Sequence, residues 1–355
     1  MARKITVALL FGGRSAEHEV SLRSAAAVYK NLDPSRYRVL SLYLDREGRW
    51  KSVASPLRTP AELKRGPAFP FLPWQAQASG RPVRADIYFL VLHGPYGEDG
   101  TIQGLLELAD VPYIGPGVLA SAAGMDKAVM KVLFQAQGLL VSPWRVVRDF
   151  EWAKARTSIL SRLRREFSWP VFVKPANLGS SVGISKVKSF DALGPALDLA
   201  FRYDRKVVVE RGIRGREIEC SVLGNDAPEA SLPGEVIPHN EFYDYKDKYD
   251  DGRTRFGIPA DLPAAVVEKI RIQAVAAFRA CEGEGLARVD FFLESGTGDL
   301  YVNEINTLPG FTEISMYPKL WDVSGLPFGR LLDRLIDLGF ERHRAKRRCT
   351  AKDGA

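Results

Sequence analysis

The sequence predicts an α/β protein that contains a parallel sheet as well as mixed or antiparallel sheets. Strand-like runs alternate with helical stretches along most of the chain, which favours this class. Residues 86–92 are nearly all apolar, as expected of a parallel strand covered on both faces. Residues 285–293 and 300–306 alternate polar and apolar side chains around a glycine-containing turn, which is typical of an antiparallel hairpin.

The chain divides into three predicted units and a tail, at residues 1–124, 125–217, 218–340 and 341–355. The first unit opens with a predicted buried strand at residues 5–11, and Ser15 is the predicted N-cap of the helix that follows. The apolar start is too short for a signal peptide and runs into charged residues, so we interpret it as a strand. Residues 46–85 give no sign of chemistry.

The second unit has one predicted helix followed by strands, at residues 125–137, 170–174, 183–187 and 206–210. The third has a predicted strand, a helix and the terminal hairpin, at residues 218–223, 263–281 and 285–306. The basic tail is predicted to be disordered, as chain termini often are.

Length and composition indicate a soluble globular protein of two or three domains, because 355 residues exceed what one small core accommodates. The three cysteines are far apart and lack metal-type spacing, so we expect no disulfide framework and predict a cytoplasmic location. No apolar run approaches the ~20 residues of a membrane span, and no membrane partner is expected.

The formal net charge of +7 raises the question of nucleic-acid binding. The last fifteen residues carry six basic and two acidic side chains, so the rest of the chain is left with only +3. That modest charge suits a protein that attracts an anionic nucleotide. We therefore expect no nucleic-acid partner.

The terminal hairpin gathers polar side chains on one face. Side chains two residues apart on a strand point the same way, so Arg288 and Asp290 share a face, as do Glu304 and Asn306. Two carboxylates and an amide are ligands that suit Mg²⁺ or Mn²⁺ beside phosphate. A solvated hairpin face with a surface ion pair is the plain structural alternative.

A glycine- and serine-rich loop joins two predicted strands at residues 174–183. Its backbone N–H groups can cradle phosphate oxygens, and Lys174 adds a positive charge. The GxxxxGK[ST] signature of the P-loop is absent from the sequence. Downstream, Glu210 and Glu217 flank a short link that can hydrogen-bond an adenine edge, although both are equally compatible with solvated strand ends.

Four stretches together resemble the ATP-grasp enzymes and, among them, the D-alanine–D-alanine ligases. They are residues 12–22 (GGRSAEHEVSL), 93–104 (HGPYGEDGTIQG), 174–183 (KPANLGSSVG) and 303–310 (NEINTLPG). The resemblance implies a three-domain ATP-grasp fold, with an N-terminal Rossmann-like parallel sheet and mixed or antiparallel sheets in the central and C-terminal domains. It also implies ATP-dependent ligation of two D-alanine molecules through a D-alanyl phosphate, for peptidoglycan precursor synthesis.

The resemblance assigns roles to residues of this sequence. ATP-binding positions are Lys127, Lys174, Ser181, Glu210, Ile213 and Glu217. The metal ligands for Mg²⁺ or Mn²⁺ are Asp290, Glu304 and Asn306. Arg288 and the backbone N–H of Gly310 match the groups that stabilise the oxyanion. Glu17 and His93 match residues near the first D-alanine, and Ser315 and Met316 match the contact for the second D-alanine's carboxylate.

Residues 241–251 interleave aromatic and charged side chains and resemble the lid of this family. Lys248 matches a phosphate contact, and Tyr249 matches a residue that links with Glu17 and Ser180 and closes the site. Relatives that make D-alanyl-D-lactate lack this tyrosine, which favours the dipeptide product.

Two alternatives remain at this point. The nearer one is a ligase that joins D-alanine to D-lactate on the same fold. The other is a catalytically silent nucleotide-binding or nucleic-acid-binding protein, which would not require an intact set of metal ligands. A homodimer is expected, since dimers are common in the resembling family.

Overall fold

The computed structural model describes residues 3–71, 76–78, 81–83, 85–237 and 254–350; for residues 76–78, 81–83, 349 and 350 it describes the backbone alone. The strands are β1 (Ile5–Gly12), β2 (Tyr37–Leu44), β3 (Trp50–Val53), β4 (Ala76–Ala78), β5 (Arg81–Val83), β6 (Ile87–Leu90), β7 (Trp144–Arg148), β8 (Val171–Pro175), β9 (Ser185–Val187), β10 (Lys206–Arg211), β11 (Gly215–Gly224), β12 (Glu229–Ala230), β13 (Gly234–Ile237), β14 (Arg255–Gly257), β15 (Gly285–Glu294) and β16 (Leu300–Asn306).

The helices are α1 (His18–Asn31), α2 (Pro60–Lys64), α3 (Thr101–Leu108), α4 (Val118–Met125), α5 (Lys127–Ala136), α6 (Asp149–Glu166), α7 (Leu193–Ala200), α8 (Ala264–Ala280), α9 (Met316–Val323) and α10 (Phe328–Thr350). None of these helices is long and apolar enough to cross a bilayer. Strands and helices alternate, which confirms the predicted α/β class.

The N-terminal sheet has the strand order β3-β2-β1-β6. β1 lies parallel to both β2 and β6, and only the edge strand β3 runs antiparallel. Every residue of β1 after Ile5 is buried, as is every residue of β6, because both faces of a parallel sheet are covered. The predicted parallel sheet is therefore confirmed.

Two antiparallel sheets form most of the rest of the described structure, and β4 and β5 form a separate two-stranded antiparallel sheet. The central sheet has the order β7-β10-β8-β9. The C-terminal sheet has the order β14-β13-β11-β15-β16, with β12 paired to β11. The N-terminal core also takes in Phe311, Tyr317 and the apolar face of α10, so the last two helices fasten the C-terminal sheet to the N-terminal one.

The predicted N-cap at Ser15 is wrong. α1 begins at His18, and Glu17 occupies its N-cap position. The hydroxyl of Ser15 instead donates to the carbonyl of His93 at 2.6 Å and accepts from the backbone N–H of Glu17 at 3.2 Å. Tertiary bonding to the neighbouring strand end thus competes with local capping. The predicted helix from Met125 starts at Lys127, because Asp126 caps it by accepting from two backbone N–H groups.

The prediction of a disordered tail from residue 341 is wrong as far as Thr350, because α10 runs to that residue. Arg342 is only 8% exposed, lies 3.9 Å from the centre of the Tyr113 ring and pairs with Glu107. Lys346 also pairs with Glu107. Acidic residues of the first unit therefore neutralise the basic run and order it. Residues 351–355 lie outside the described residues.

Candidate active site

The N-terminal, central and C-terminal sheets meet at a cleft of about 810 Å³. Each predicted site residue in the described part of the chain lines it: Glu17, His93, Lys127, Lys174, Ser180, Ser181, Glu210, Ile213, Glu217, Arg288, Asp290, Glu304, Asn306, Gly310, Ser315 and Met316. Lys248, Tyr249 and the rest of the lid prediction lie outside the described residues. The structure thus brings together positions that are up to about 300 residues apart in sequence.

The terminal hairpin has the register that its sequence pattern predicts. Asp290 lies directly opposite Glu304, and Arg288 directly opposite Asn306, with an irregularity after Asp290. The amide of Asn306 donates to Asp290 at 2.9 Å. The guanidinium of Arg288 donates to both oxygens of Asp290, each at 2.7 Å. One face of the hairpin therefore presents two carboxylates, an amide and an arginine to the cleft.

Glu219 is a further acidic residue of this surface, and sequence reasoning missed it. It lies on β11 directly opposite Asp290, is 6% exposed, and places Oε2 3.0 Å from Nε of Arg288. Burial disfavours the charged guanidinium, but Asp290 and Glu219 raise the pKa of Arg288 far above its ordinary value. The arginine is thus a permanent positive charge. The i, i+2 spacing of Glu217 and Glu219 on a strand was the signal that could have found it.

The donor set fits a hard divalent cation. Asp290 and Glu304 are directly cross-strand, which brings their Cβ atoms to about 5 Å, and Asn306 adds an amide. Within the described ranges, no group of three His, Cys, Asp or Glu residues is arranged to hold a metal by itself. Such a set suits Mg²⁺ or Mn²⁺ that completes its shell with phosphate and water.

The glycine-rich loop after β8 turns its backbone toward the cleft. Ser180 and Ser181 have φ angles of 49° and 59°, a left-handed conformation that non-glycine residues rarely adopt. Strain of this kind concentrates at ligand sites. Ser180 donates its hydroxyl hydrogen bond to Glu17, so the loop is tied to the start of α1 across the cleft. Lys127 donates to the carbonyl of Leu178 at 2.5 Å and supports the loop from α5.

A buried ionic triad lies at one wall of the cleft. The carboxylate of Glu210, 2% exposed, pairs with Lys174 through Oε1 and with Lys131 through Oε2, the latter at 2.9 Å. Burial would raise the pKa of Glu210, but the two ammonium groups outweigh it and lower that pKa to about 2. Sequence reasoning missed Lys131. Its i, i+4 spacing from Lys127 on one helix was the available signal.

His93 connects the N-terminal sheet to the loop after β16. Its Nδ1 lies 3.1 Å from the carbonyl oxygen of Leu308, so this nitrogen carries the proton and donates. Nε2 lies 2.9 Å from the hydroxyl of Ser24, which also accepts from the backbone N–H of Phe311 at 3.1 Å. The ring is 4% exposed. His93 thus holds the segment that contains Gly310 at both ends, at Leu308 directly and at Phe311 through Ser24.

Gly310 and Ser315 form the end of the cleft beside α9. A Cβ on Gly310 would lie 2.8 Å from Oγ of Ser315, so a larger residue would clash. Ser315 precedes α9 as its N-cap, and its hydroxyl accepts from the backbone N–H of Thr312 at 3.0 Å. The backbone N–H groups that begin α9 at Met316 are the positive end of the helix dipole, which favours an anion.

Two family models match the chain. The model described as D-ala D-ala ligase N-terminus matches residues 6–116, and the one described as D-ala D-ala ligase C-terminus matches residues 133–337. The chain belongs to the D-alanine–D-alanine ligase family. Its ATP-grasp fold is the one predicted from the four motifs.

Individual relatives of this ligase family match over nearly the whole length. The D-alanine–D-alanine ligase of Heliobacterium modesticaldum is 51% identical, over 97% of this chain and 97% of its own. The solved D-alanine–D-alanine ligase of Coxiella burnetii is 40% identical with a TM-score of 0.88, over 99% of this chain and 98% of its own. The VanG D-Ala:D-Ser ligase of Enterococcus faecalis is 33% identical with a TM-score of 0.83, over 95% of this chain and all of its own.

Proposed function

We propose that the protein joins two D-alanine molecules to D-alanyl-D-alanine with ATP, releasing ADP and phosphate, as a supplier of peptidoglycan precursor. The observation that carries this proposal is the convergence, in one cleft, of the Ser180–Glu17 link and the hairpin surface of Arg288, Asp290 and Glu304. The first pairing suits an amino-acid ammonium, and the second suits a triphosphate. Residues 1–124, 125–217 and 218–340 are the proposed domains.

The nucleotide lies along the central sheet in this proposal. The link after Glu210, with Ile213, takes the adenine edge, and Glu217 takes the ribose hydroxyls. Lys127, Lys174 and the backbone of the loop at Ser181 contact the phosphates. The carboxylate of Glu210 is already occupied by two lysines, so its part is to hold Lys174 rather than to contact the base directly.

Asp290, Glu304 and Asn306 are the proposed ligands for Mg²⁺ or Mn²⁺. When bound, the cation supplies positive charge that screens the γ-phosphate from the attacking carboxylate. Removing one of these three side chains should raise the Mg²⁺ concentration needed for half-maximal activity. We therefore expect Glu304→Gln to lower kcat steeply and to shift the Mg²⁺ dependence to higher concentration.

The amino acids occupy the opposite end of the cleft. Glu17 holds the ammonium of the first D-alanine, whose carboxylate attacks the γ-phosphate and becomes an acyl phosphate. The amine of the second D-alanine, held through its carboxylate by Ser315 and the start of α9 at Met316, attacks that acyl carbon. Arg288 and the N–H of Gly310 stabilise the oxyanion of the tetrahedral intermediate, which expels phosphate.

Lys248 and Tyr249 are the proposed lid residues that close over the phosphates and the amino acids. Closure excludes water, which would otherwise hydrolyse the acyl phosphate. His93 is proposed to lie near the first D-alanine while it holds the loop that contains Gly310.

Phosphate release that depends on both ATP and D-alanine tests the proposal. The product is identified by mass after incubation with ATP, D-alanine and D-lactate at neutral pH. We expect the dipeptide; an ester as the main product would favour the depsipeptide ligase instead. ATP turnover without D-alanine, or none at all with folded protein and Mg²⁺, would contradict the ligase assignment.

We further propose that the protein works in the cytoplasm as a homodimer and without nucleic-acid partners. α3 and α4 contact each other, and each exposes apolar side chains, with Leu108 89% exposed and Leu119 65% exposed. A second subunit that covers them removes this surface from water. Sedimentation equilibrium of the wild type and of Leu108→Glu tests this, and a monomeric wild type would refute it.

A further inference from the structure

The triad of Glu210, Lys131 and Lys174 is asymmetric with respect to the cleft. Lys174 and Glu210 line the cleft, whereas Lys131 does not. Lys131 approaches Oε2 of Glu210 from behind, on α5, and its side chain is 2% exposed. Glu210 is the one acidic partner that the described part of the chain offers it. Lys131 is buried and does not line the cleft. Burying an ammonium group is costly, so the presence of a lysine at this position requires an explanation.

The triad carries a net positive charge only because it includes Lys131. With Lys131 the triad carries two positive charges and one negative charge, a net charge of +1. Without it, Glu210 and Lys174 would form a neutral pair. A phosphate oxygen that approaches Lys174 would then compete with a carboxylate that has no other cation, and each exchange would leave that carboxylate buried and unpaired.

We propose that Lys131 is a positioning residue for nucleotide binding. It neutralises Glu210 from the far side, so that Lys174 is held in place by Glu210 yet remains free to share its charge with a phosphate. The inference rests on the proposed function only in that the cleft binds ATP. Lys131 contacts neither nucleotide nor amino acid, and it acts through Glu210 on Lys174.

Four variants test this: Lys131→Met, Lys131→Arg, Glu210→Gln, and the double variant Lys131→Met with Glu210→Gln. Binding of ADP with Mg²⁺ is measured by calorimetry, and kcat and KM are measured for ATP and for D-alanine. We expect Lys131→Met to weaken ADP binding and raise the KM for ATP by about tenfold or more, because Glu210, left with Lys174 as its one cation, then competes with the phosphate for that lysine. The KM for D-alanine should stay within about twofold.

The double variant separates the proposed role from mere packing. It keeps the net charge of +1 beside the phosphates, because it removes one positive and one negative charge together. We expect it to bind ADP several-fold more tightly than Lys131→Met does, and Lys131→Arg to stay near the wild type. Glu210→Gln alone leaves two buried ammonium groups unpaired and should be the least stable of the set.

Lys51→Met is the matched control. Lys51 is also buried, at 7% exposed, and lies 3.6 Å from Asp45, away from the cleft. We expect this variant to lose stability with unchanged ADP affinity.

A folded Lys131→Met protein with wild-type ADP affinity and wild-type KM for ATP would overturn the inference. If Lys131→Met does not fold, a folded double variant that binds ADP more than tenfold more weakly than the wild type would overturn it equally. Either result leaves the ligase assignment intact as long as the wild type turns over ATP with D-alanine. Because calorimetry measures ADP binding, it tests the role of Lys131 independently of turnover.

Discussion

The guanidinium of Arg288 and the carboxylate of Asp290 form a two-point pair along one strand, with Nε to Oδ1 and Nη2 to Oδ2 both 2.7 Å apart. Both oxygens of a proposed metal ligand are thus engaged by a cation of the protein itself. A divalent cation that took Asp290 as a ligand would therefore compete with Arg288 for this carboxylate, and it would free the guanidinium to face a phosphate.

This competition has a testable consequence. In Arg288→Gln, Asp290 has no guanidinium to displace, so Mn²⁺ should bind more tightly in the presence of ADP. Turnover should nevertheless fall by about 10²- to 10³-fold, the usual loss when a donor to an oxyanion is removed. Electron paramagnetic resonance measures free Mn²⁺ and so gives the Mn²⁺ affinity. The rate of phosphate release gives the turnover.

Arg36→Gln is the control for charge removal, because Arg36 pairs with Asp333 away from the cleft. Its Mn²⁺ affinity should match that of the wild type. Unchanged or weaker Mn²⁺ binding in Arg288→Gln would contradict the competition.

Glu219 should matter once Asp290 is engaged by metal. It then remains the carboxylate that orients Arg288, from 3.0 Å away on the neighbouring strand. We expect Glu219→Gln to lower kcat by about tenfold at saturating Mg²⁺, because an arginine without its orienting charge loses its fixed position. The KM for D-alanine should change little. Steady-state rates of Glu229→Gln, an exposed position on the same sheet, serve for comparison. A variant with altered stability and wild-type kcat would refute this role.

The hairpin could be predicted from sequence because its information is local. Alternation places Arg288 and Asp290 on one face, and a short turn fixes the register that sets Asp290 opposite Glu304. The same alternation puts Glu219 on one face with Glu217, but it does not show that Glu219 lies beside Asp290. Its position opposite Asp290 depends on which strand pairs with β15, and that order is decided by the packing of the whole sheet.

The errors have the same origin. Lys131 carries a charge that most often faces solvent, but α5 packs against β16 and α8, and this packing buries Lys131 beside Glu210. The basic run after residue 340 has the composition of a disordered tail, yet the carboxylate that orders Arg342 lies 235 residues earlier in the sequence, at Glu107. Ser15 has the residue type of an N-cap, but the carbonyl of His93 offers its hydroxyl another partner.

His93 should make stability depend on pH. Burial alone would lower its pKa, but Glu98, with further help from Glu17, raises it above the ordinary 6.5. The folded protein therefore holds the proton more tightly than the unfolded chain. The stabilisation is fully present below pH 6.5 and is lost as pH rises through the folded pKa.

The variant His93→Asn isolates this contribution, since asparagine can still donate to Leu308 but does not titrate. We expect the difference in unfolding free energy between the wild type and His93→Asn to be larger near pH 6 than near pH 8.5. Urea denaturation without substrates measures it. The shifts of His18 and His343 are common to both proteins and cancel. A difference that grows as pH rises would contradict the assignment.

Arg342 should be a main stabilising contact between α10 and the N-terminal unit. It is 8% exposed, donates to the hydroxyl of Tyr113 and to Glu107, each at 3.2 Å, and lies 3.5 Å from Glu284. We expect Arg342→Met to lower the free energy of unfolding by about 2 kcal/mol, because it leaves partly buried carboxylates with fewer partners. Lys346→Met removes an ion pair with Glu107 in which the lysine side chain is 55% exposed. It should lower the free energy of unfolding by under about 1 kcal/mol. Urea denaturation measures the free energy of unfolding of both variants. Equal decreases would show that the burial of Arg342 does not strengthen the contact between α10 and the N-terminal unit.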